Sequence, residues 1–453
     1  MRLLAFMRSL HRYFWPYLLA LSGLWLATDA TPWSTAPNFF AWRAVLMQYG
    51  GVLAMGVMSA AMVLAARPAA VEPQLGGLDK MYRLHKWLGI TALGVSVIHW
   101  WLGQGSKWMA QWGWVTRGAR PPRAAAPDQG VLQAWLGSQR HLAETVGEWA
   151  FYAVAVLLVL ALVKRFPYKL FAKTHTWMAA LYLALVFHSV VLTQFSYWAQ
   201  PLGWLMLPLL LGGVASAVWV LAGRVGRSRQ VRATVVARQE YPALKTLETE
   251  LLVDAGWPGH QAGQFAFLTV DPKEGPHPFT MASAWDPATR RLRFVTKALG
   301  DHTGQLPALL REGQRVTVEG PYGRFDFGDG RSRQIWVGAG IGITPFIARL
   351  KQLARRPVPG TEIDLFHATT VLDAAAIEKL QQDARAAGVR LHVWVDGRDG
   401  LLDGERIRAQ VPGWQQASVW FCGPAGFGRS LVQDFMARGL PSAAFHQELF
   451  EMR

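Results

Sequence analysis

Four histidines carry the first chemical signal. His85 and His99 lie in RLHKWLGITALGVSVIHW, and His175 and His188 in KTHTWMAALYLALVFHSVV. Between these histidines both stretches are largely apolar, with Arg83, Lys86 and Lys173 at their starts, and an ionisable side chain at membrane depth is costly and normally functional. At about 1.5 Å per residue, spacings of 14 and 13 residues separate the members by roughly 21 and 19–20 Å along their helices. Two such helices side by side offer two bis-imidazole sites, one near each membrane face. His85 would pair with His175, and His99 with His188. That donor set suits two stacked six-coordinate haems, whose irons shuttle electrons. The facing is uneven: about 40° separates His85 from His99, but about 140° separates His175 from His188 on an ideal helix. Tilt or a local helical irregularity must bring the second pair round.

The elements that would hold these residues follow from the distribution of apolar side chains. The chain has 453 residues, 51% hydrophobic and only 17% charged, and the apolar content sits almost entirely before residue 223. Six spans can be drawn there, at roughly 14–28, 42–66, 83–103, 145–163, 174–193 and 200–222. The first lacks a small-x-small cleavage site, and Trp15, Pro16 and Trp25 suit a retained helix rather than a signal peptide. Basic residues flank the spans on one side: Arg2, Arg8 and Arg12, then Arg67, Lys80 and Arg83, then Lys164, Arg165, Lys169 and Lys173, then Arg224, Arg227 and Arg229. Both termini are therefore expected in the cytoplasm. The basic loop 104–143 falls outside against the rule, which long loops obey poorly. Arg43, just inside the outer end of span two, reads equally as a partner for an outer-haem propionate and as a snorkelling anchor.

The formal charge of +16 does not point to nucleic acid, because many of the basic residues flank apolar segments and no recognition motif is present. A lone cysteine, Cys422, excludes an intrachain disulfide and a cluster held by four thiolates. After Arg224 the chain turns mixed and Gly/Pro-punctuated. Short alternating segments (VRATVVAR, TLETELLV, QFAFLTV, RLRFVTK) predict a small antiparallel barrel over 224–330. Apolar strands alternating with helical stretches (QIWVGAG, EIDLFHAT, RLHVWV, SVWFCG) predict a parallel α/β sheet over 331–453. The fold class expected is thus a six-helix membrane bundle over 1–223, then barrel, then α/β domain.

This arrangement resembles the ferric reductase-like transmembrane domain of the NADPH oxidase and ferric reductase superfamily, joined to a ferredoxin-NADP reductase-type module. The resemblance covers most of the chain but not the 104–143 loop. It implies two b-type haems on the third and fifth helices, FAD, and NADPH or NADH. HPFTMAS resembles the family's flavin-binding signature, which implies that His277, Phe279 and Thr280, with Pro278 and Ser283 in the same segment, lie at the isoalloxazine. Lys297, Gly300 and Thr303 in KALGDHT match the stretch near the flavin pyrophosphate, and GPYGRF at 320–325 matches the barrel's closing strand. VGAGIGITPF supplies Gly338, Gly340, Gly342, Thr344 and Pro345 at a strand-to-helix junction, where glycines let a pyrophosphate reach a helix N-terminus. It resembles the family's nicotinamide-dinucleotide loop. FCGPAGF places Cys422, Gly423 and Pro424 where the family has its nicotinamide-side turn; on its own Cys422 reads as a small buried hydrophobe. In the tail FHQELFEMR, Glu448 belongs to the same site, and Phe450 is the candidate for the family's flavin-stacking aromatic, with Phe445 the fallback. Three residues follow Phe450, so the aromatic is not terminal as in the family.

The expected function is electron transfer from cytoplasmic NAD(P)H through FAD and two haems to an extracytoplasmic acceptor, in a bacterial inner membrane. An inside-negative potential favours that direction by about 2.3 kcal/mol per 100 mV. Oxygen, giving superoxide, and a ferric chelate are the acceptors the resemblance implies. A periplasmic protein acceptor is an alternative, as is a haem-binding membrane sensor without turnover, although a sensor has no use for HPFT, GAGIGITP and CGP segments. HATTVLD, with Thr369 and Thr370, lacks the Arg often found there in NADPH-specific relatives. NADH therefore stays open, with Arg398 as an alternative 2′-phosphate contact.

Overall fold

The computed structural model describes residues 8–28, 39–115, 130–163 and 165–448. The chain divides into two compact units, one built from Met7–Leu75 and Lys80–Val225, the other from Gly226–Glu451 with Gly76–Asp79.

The first unit is helical: α1 (Arg8–Thr28), α2 (Phe39–Ala65), α3 (Leu78–Gln111), the short α4 (Val131–Ser138), α5 (Arg140–Leu162), α6 (Tyr168–Leu192) and α7 (Pro201–Leu221). Four of them, α2, α5, α6 and α7, are long and apolar enough to cross a bilayer. Two expected spans, α1 and α3, fall short of that measure. In α1 the entry is polar (HRY), and in α3 the run is diluted by His99, Gln104 and several Trp and Gly. Part of the expected 104–143 loop is helix instead: α3 continues to Gln111, α4 follows at Val131, and α5 opens at Arg140. Hydropathy stops where polar residues begin, but the backbone hydrogen-bond ladder continues into water.

Small residues let these helices pack closely, as is usual in membranes. A Cβ at Gly56 of α2 would lie 2.7 Å from Leu21 of α1, and one at Gly213 of α7 only 2.0 Å from the Tyr182 hydroxyl of α6. Tyr182 occupies that notch and shares a 2.8 Å hydrogen bond with Ser59 of α2. Leu21, Trp25, Met55, Ala179, Leu202 and Met206 lie in the buried centre of the unit.

The second unit has two sheets. The first is antiparallel, from β1 (Gln230–Tyr241), β2 (Thr246–Val253), β3 (Phe265–Thr269), β4 (His277–Thr280), β5 (Arg291–Lys297) and β6 (Arg315–Tyr322), in the order β4-β3-β6-β1-β2-β5. Strict alternation in TLETELLV and RLRFVTK puts every second residue inside, as the two-residue period requires. Register shifts at Val235/Ala237 and Phe265/Phe267 bend the strands, and one bridge, Met281 to Phe294, links the segment after β4 to the edge strand β5. Helix α8 (Asp301–Leu309) follows β5.

The second sheet is parallel: β7 (Arg333–Ala339), β8 (Glu362–Thr369), β9 (Arg390–Val395), β10 (Ser418–Cys422) and β11 (Phe445–Gln447), ordered β11-β10-β7-β8-β9. Its helices are α9 (Thr344–Arg355), α10 (Ala374–Ala386), the single-turn α11 (Asp396–Asp399), α12 (Gly404–Gln410) and α13 (Ala425–Ala437). The chain runs outward from β7 to β9, then returns to β10 on the other side of β7. Strand order therefore reverses between β7 and β10, where ligands bind in open α/β sheets.

Candidate functional site

In the helical unit, α3 and α6 bring the four histidines together in the expected pairs. The rings of His85 and His175 lie 5.9 Å apart, centroid to centroid, and those of His99 and His188 lie 6.4 Å apart. One metal held between two imidazoles, with bonds of about 2 Å and centroids about 1 Å behind the nitrogens, sets the centroids about 6 Å apart. Helix α6 is unbroken α-helix from Tyr168 to Leu192, so no local irregularity turns His188. The ring of His188 nonetheless lies 6.4 Å from that of His99.

Backbone carbonyls hold two of these rings in place. The Nδ1 of His85 lies 2.9 Å from the Ala61 carbonyl and that of His188 lies 2.8 Å from the Ala143 carbonyl. Such bonds direct the other ring nitrogen outward and raise its basicity. Glycines make the room: a Cβ at Gly147 of α5 would sit 1.9 Å from His188 Nδ1, and one at Gly50 of α2 would sit 3.3 Å from His99 Nδ1. His85 with His175, and His99 with His188, are therefore spaced to hold a metal centre such as a haem iron between them. Arg43 Nε donates to the Leu102 carbonyl at 2.6 Å, three residues past His99, which places it on the side of the His99–His188 pair.

In the second unit, β4 presents His277, Pro278, Phe279 and Thr280 against β3, with Thr280 paired to Phe265 and His277 to Leu268. Thr280 is buried, whereas His277, Pro278 and Phe279 are half-buried. His277 stacks on His302 at 3.6 Å and 9°, and Glu274 brings a third donor atom within 4.8 Å of both. Burial, and then the neighbouring His302, push the His277 imidazole down to about 4; burial also lowers His302. Both rings are neutral near pH 7. Ser283 Oγ accepts from the Arg293 N–H at 3.0 Å. His260 Nε2 lies 2.9 Å from the Ser283 carbonyl, and burial pushes its pKa to about 4.

Lys297 ends β5, and Thr303 Oγ1 accepts from the Leu299 and Gly300 N–H groups at 2.9 and 3.1 Å. Those two donors are thereby engaged at the entrance of α8. Gly300 itself is extended, at φ −161, a conformation any residue adopts. Sequence reasoning missed His302 and Glu274; the signal was a second His in the GDHT stretch that was taken for its glycine and threonine.

The three glycines after β7 have separate reasons. A Cβ at Gly338 would lie 3.0 Å from the Ile343 backbone, Gly340 has φ +56, and a Cβ at Gly342 would strike the Cys422 carbonyl oxygen at 2.2 Å. The turn Gly340–Ile343 leads into α9, where Pro345 occupies the first turn and Thr344 Oγ1 donates to the Ile341 carbonyl at 2.6 Å. Cys422 lies beside Gly338 across β10 and β7. It is fully buried, and burial, with Glu448 nearby, pushes its thiol up. A Cβ at Gly423 would lie 2.8 Å from Ala339, and Pro424 precedes α13. Glu448 is buried close to Gly323. Phe450 lies outside the described residues.

A cleft of about 110 Å³ opens beside these elements, lined among others by Arg293, Lys297, Gly340, Lys351, His367 and Thr369. Several of its cations are engaged: Lys351 with Asp383, Lys379 with Glu248, and Arg293 with Glu248 and Glu250. Thr369 Oγ1 donates to the Val371 carbonyl at 2.9 Å, and Arg398 pairs with Asp399 at 2.8 Å.

Parts of the chain are similar to known proteins. Residues 50–186 match the family described as ferric reductase like transmembrane component. That span includes His85, His99 and His175 and ends two residues before His188. An NADPH oxidoreductase of Mycobacterium tuberculosis is 30% identical over 218 residues, covering 46% of this chain and 56% of the relative. The haem-dependent oxidative N-demethylase beta subunit of Ectopseudomonas mendocina is 28% identical over 218 residues, covering 47% of this chain and 66% of the relative. The chain thus spans less than two thirds of the length of these relatives. Among solved structures, the flavohaem-like FAD/NAD binding domain of a nitric oxide dioxygenase from Vibrio cholerae is 20% identical, with a TM-score of 0.43, covering 49% of this chain and 98% of that one.

Proposed function

Proceeding from a ferric reductase-like transmembrane domain joined to a ferredoxin reductase-type module, we propose a transmembrane oxidoreductase that moves electrons from cytoplasmic NAD(P)H through FAD and two b-type haems to an extracytoplasmic acceptor. Oxygen and ferric chelates are the acceptors considered first. The observation that carries the reading is the meeting of two imidazole pairs at centroid distances of 5.9 and 6.4 Å. In this reading α1, α2, α3, α5, α6 and α7 all cross the membrane, both termini are cytoplasmic, and the location is a bacterial inner membrane. The domains are 1–223, 224–330, whose sheet closes as a flavin-binding barrel, and 331–453.

Bound in these sites, the flavin would accept a hydride and release electrons singly, and the iron centres would relay them. What the protein supplies is placement. His85 and His175 hold the inner site, and His99 and His188 the outer, with the Ala61 and Ala143 carbonyls fixing two of the rings. Arg43 supplies positive charge at the outer end. His277, Pro278, Phe279, Thr280 and Ser283 form the flavin wall, with the Thr280 hydroxyl available to donate. Lys297, Gly300 and Thr303 stand at its pyrophosphate. Gly338, Gly340, Gly342, Thr344 and Pro345 allow a dinucleotide close to the α9 N-terminus. Cys422, Gly423, Pro424 and Glu448 wall the nicotinamide side, where a fully buried thiol excludes water rather than attacking substrate, and Phe450 is the candidate for the flavin-stacking aromatic.

The test is anaerobic addition of NADH or NADPH to the purified, FAD-loaded protein while haem absorption is followed. Reduction to a six-coordinate ferrous b-type spectrum, lost in His→Leu variants of either pair, is expected. A protein without haem, or with haem that NAD(P)H cannot reduce, overturns the reading.

A further inference from the structure

NADH and NADPH differ by one phosphate monoester on the adenosine ribose, a group of about two negative charges near pH 7. A protein that takes NADPH meets those charges with an uncommitted cation. One that takes NADH meets a hydroxyl instead, which can donate a hydrogen bond.

Strand order fixes where that group falls. Cys422 of β10, Gly338 of β7 and His367 of β8 lie side by side across the C-terminal edge of the parallel sheet. With the nicotinamide at the Cys422–Pro424 turn and the pyrophosphate at the glycine turn after β7, the adenosine ribose extends over the end of β8. The cleft of about 110 Å³ is lined there by His367, Thr369, Val371 and Asp373.

Most cations of this cleft are already paired. Lys351 Nζ donates to both oxygens of Asp383 at 2.8 and 2.6 Å, Lys379 pairs with Glu248 at 2.7 Å, and Arg293 pairs with Glu248 at 2.9 Å and with Glu250. Lys297 makes no ion pair among the described residues, but it stands at a pyrophosphate in the reading above. Arg398 does not line the cleft, and it gives both Nε and Nη2 to Asp399 at 2.8 Å. Freeing Lys351 or Lys379 for a new anion would strand a half-buried carboxylate, which is costly.

The end of β8 offers acceptors instead. His367 is only 8% exposed, and its Nδ1 lies 3.1 Å from the Gly338 carbonyl oxygen. A carbonyl can only accept, so Nδ1 carries the proton and Nε2 is a bare acceptor. Burial lowers the imidazole below its ordinary range, so the ring is neutral near pH 7 and brings no charge to a phosphate. Thr369 donates its hydroxyl proton to the Val371 carbonyl at 2.9 Å. The Asp373 carboxylate caps α10, accepting from the Ala376 N–H at 3.0 Å. Such a wall suits a sugar hydroxyl and repels a phosphate.

We propose that this cleft selects NADH over NADPH: His367 Nε2 accepts from a hydroxyl of the adenosine ribose, and Asp373, with no uncommitted cation to offset it, turns the 2′-phosphate away. The assignment rests on the dinucleotide site proposed above and names its cofactor.

The experiment uses the full, FAD-loaded chain in detergent and measures the affinities of NAD+ and NADP+ by calorimetry. The oxidised nucleotides donate no electrons, so the affinities are read whether or not NAD(P)H reduces the haem, and failure of the electron path shows separately. Wild type is expected to bind NAD+ at least about tenfold more tightly than NADP+. Val371→Arg, at a position 41% exposed, adds the missing cation and should tighten NADP+ about tenfold while leaving NAD+ within about threefold. His367→Ala should weaken NAD+ about tenfold and leave NADP+ within about twofold, because a phosphate has no proton to give the ring. Should His367→Ala fail to fold, the exposed Val371→Arg decides. Equal binding of both nucleotides or of neither by wild type, a preference for NADP+, an equal loss of both in His367→Ala, or no gain of NADP+ in Val371→Arg would each overturn the proposal.

Discussion

Gly147→Ala tests the outer histidine pair with one methyl group. The added Cβ would lie 1.9 Å from His188 Nδ1, 2.4 Å from Cε1 and 2.5 Å from Cγ. Ordinary contact begins near 3.4 Å, so the ring must retreat by about 1.5 Å. That breaks the 2.8 Å contact with the Ala143 carbonyl, a bond of about 1 kcal/mol, and swings the other nitrogen off the line to His99. Losing an orienting partner of a ligating histidine typically costs about 10–100-fold in affinity, or about 1.4–2.8 kcal/mol. Intrinsic helix propensity runs the other way, since Ala is favoured over Gly by about 1 kcal/mol. A loss therefore cannot be blamed on a weakened helix. The assay is haem content per polypeptide with spectral redox titration: the count should fall from two toward one, with the remaining signal that of the inner site. Gly94→Ala, with nothing within 4 Å of its Cβ, is the control and should keep both. Two haems with unchanged titration in Gly147→Ala would refute the claim that His188 is seated by this glycine.

Three further outcomes follow from the second unit. Gly342→Ala drives a methyl onto the Cys422 carbonyl, and overpacking of this kind costs about 1–3 kcal/mol; a lower melting temperature and a raised KM for NAD(P)H are expected, with the haem spectrum unchanged. His260 is pushed to about 4 by burial, so between about pH 6.5 and pH 4 the unfolded chain binds a proton that the folded protein refuses. Stability should fall as pH falls through that window, by at most about 3 kcal/mol at 1.36 kcal/mol per unit, and denaturant titrations of His260→Asn should show a shallower slope; an identical slope would remove His260 as a cause. Cys422, fully buried with its thiol pushed up, should resist maleimide in the native protein at pH 8 and react fully in denaturant; fast native labelling would contradict its placement between β7 and the C-terminal segment.

The histidine pairs were legible because hydropathy marks a membrane span from one dimension alone, and a histidine within it is an anomaly against that background. The strands were legible for a similar reason: TLETELLV and RLRFVTK alternate with the period of a two-sided sheet, and GAGIGITP marks a tight strand-to-helix turn wherever it occurs. Helix ends were not, since α3 runs to Gln111 and α5 begins at Arg140 through residues whose polarity ends a hydropathy window but not a helix. Nor was the facing of His188, which an ideal helix turns away from its partner and which the structure nonetheless sets 6.4 Å from His99. Gly147 gave no signal, because glycine is common in membrane helices and only the ring lying against it shows why it is glycine. Composition and period are properties of neighbours along the chain, so the sequence by itself determined which segments are apolar, which form sheets and where histidines interrupt the apolar runs. Where a methyl cannot fit and how closely a ring lies against its neighbouring helix are properties of neighbours in space, and only the packing of α2, α5, α6 and α7 decided them.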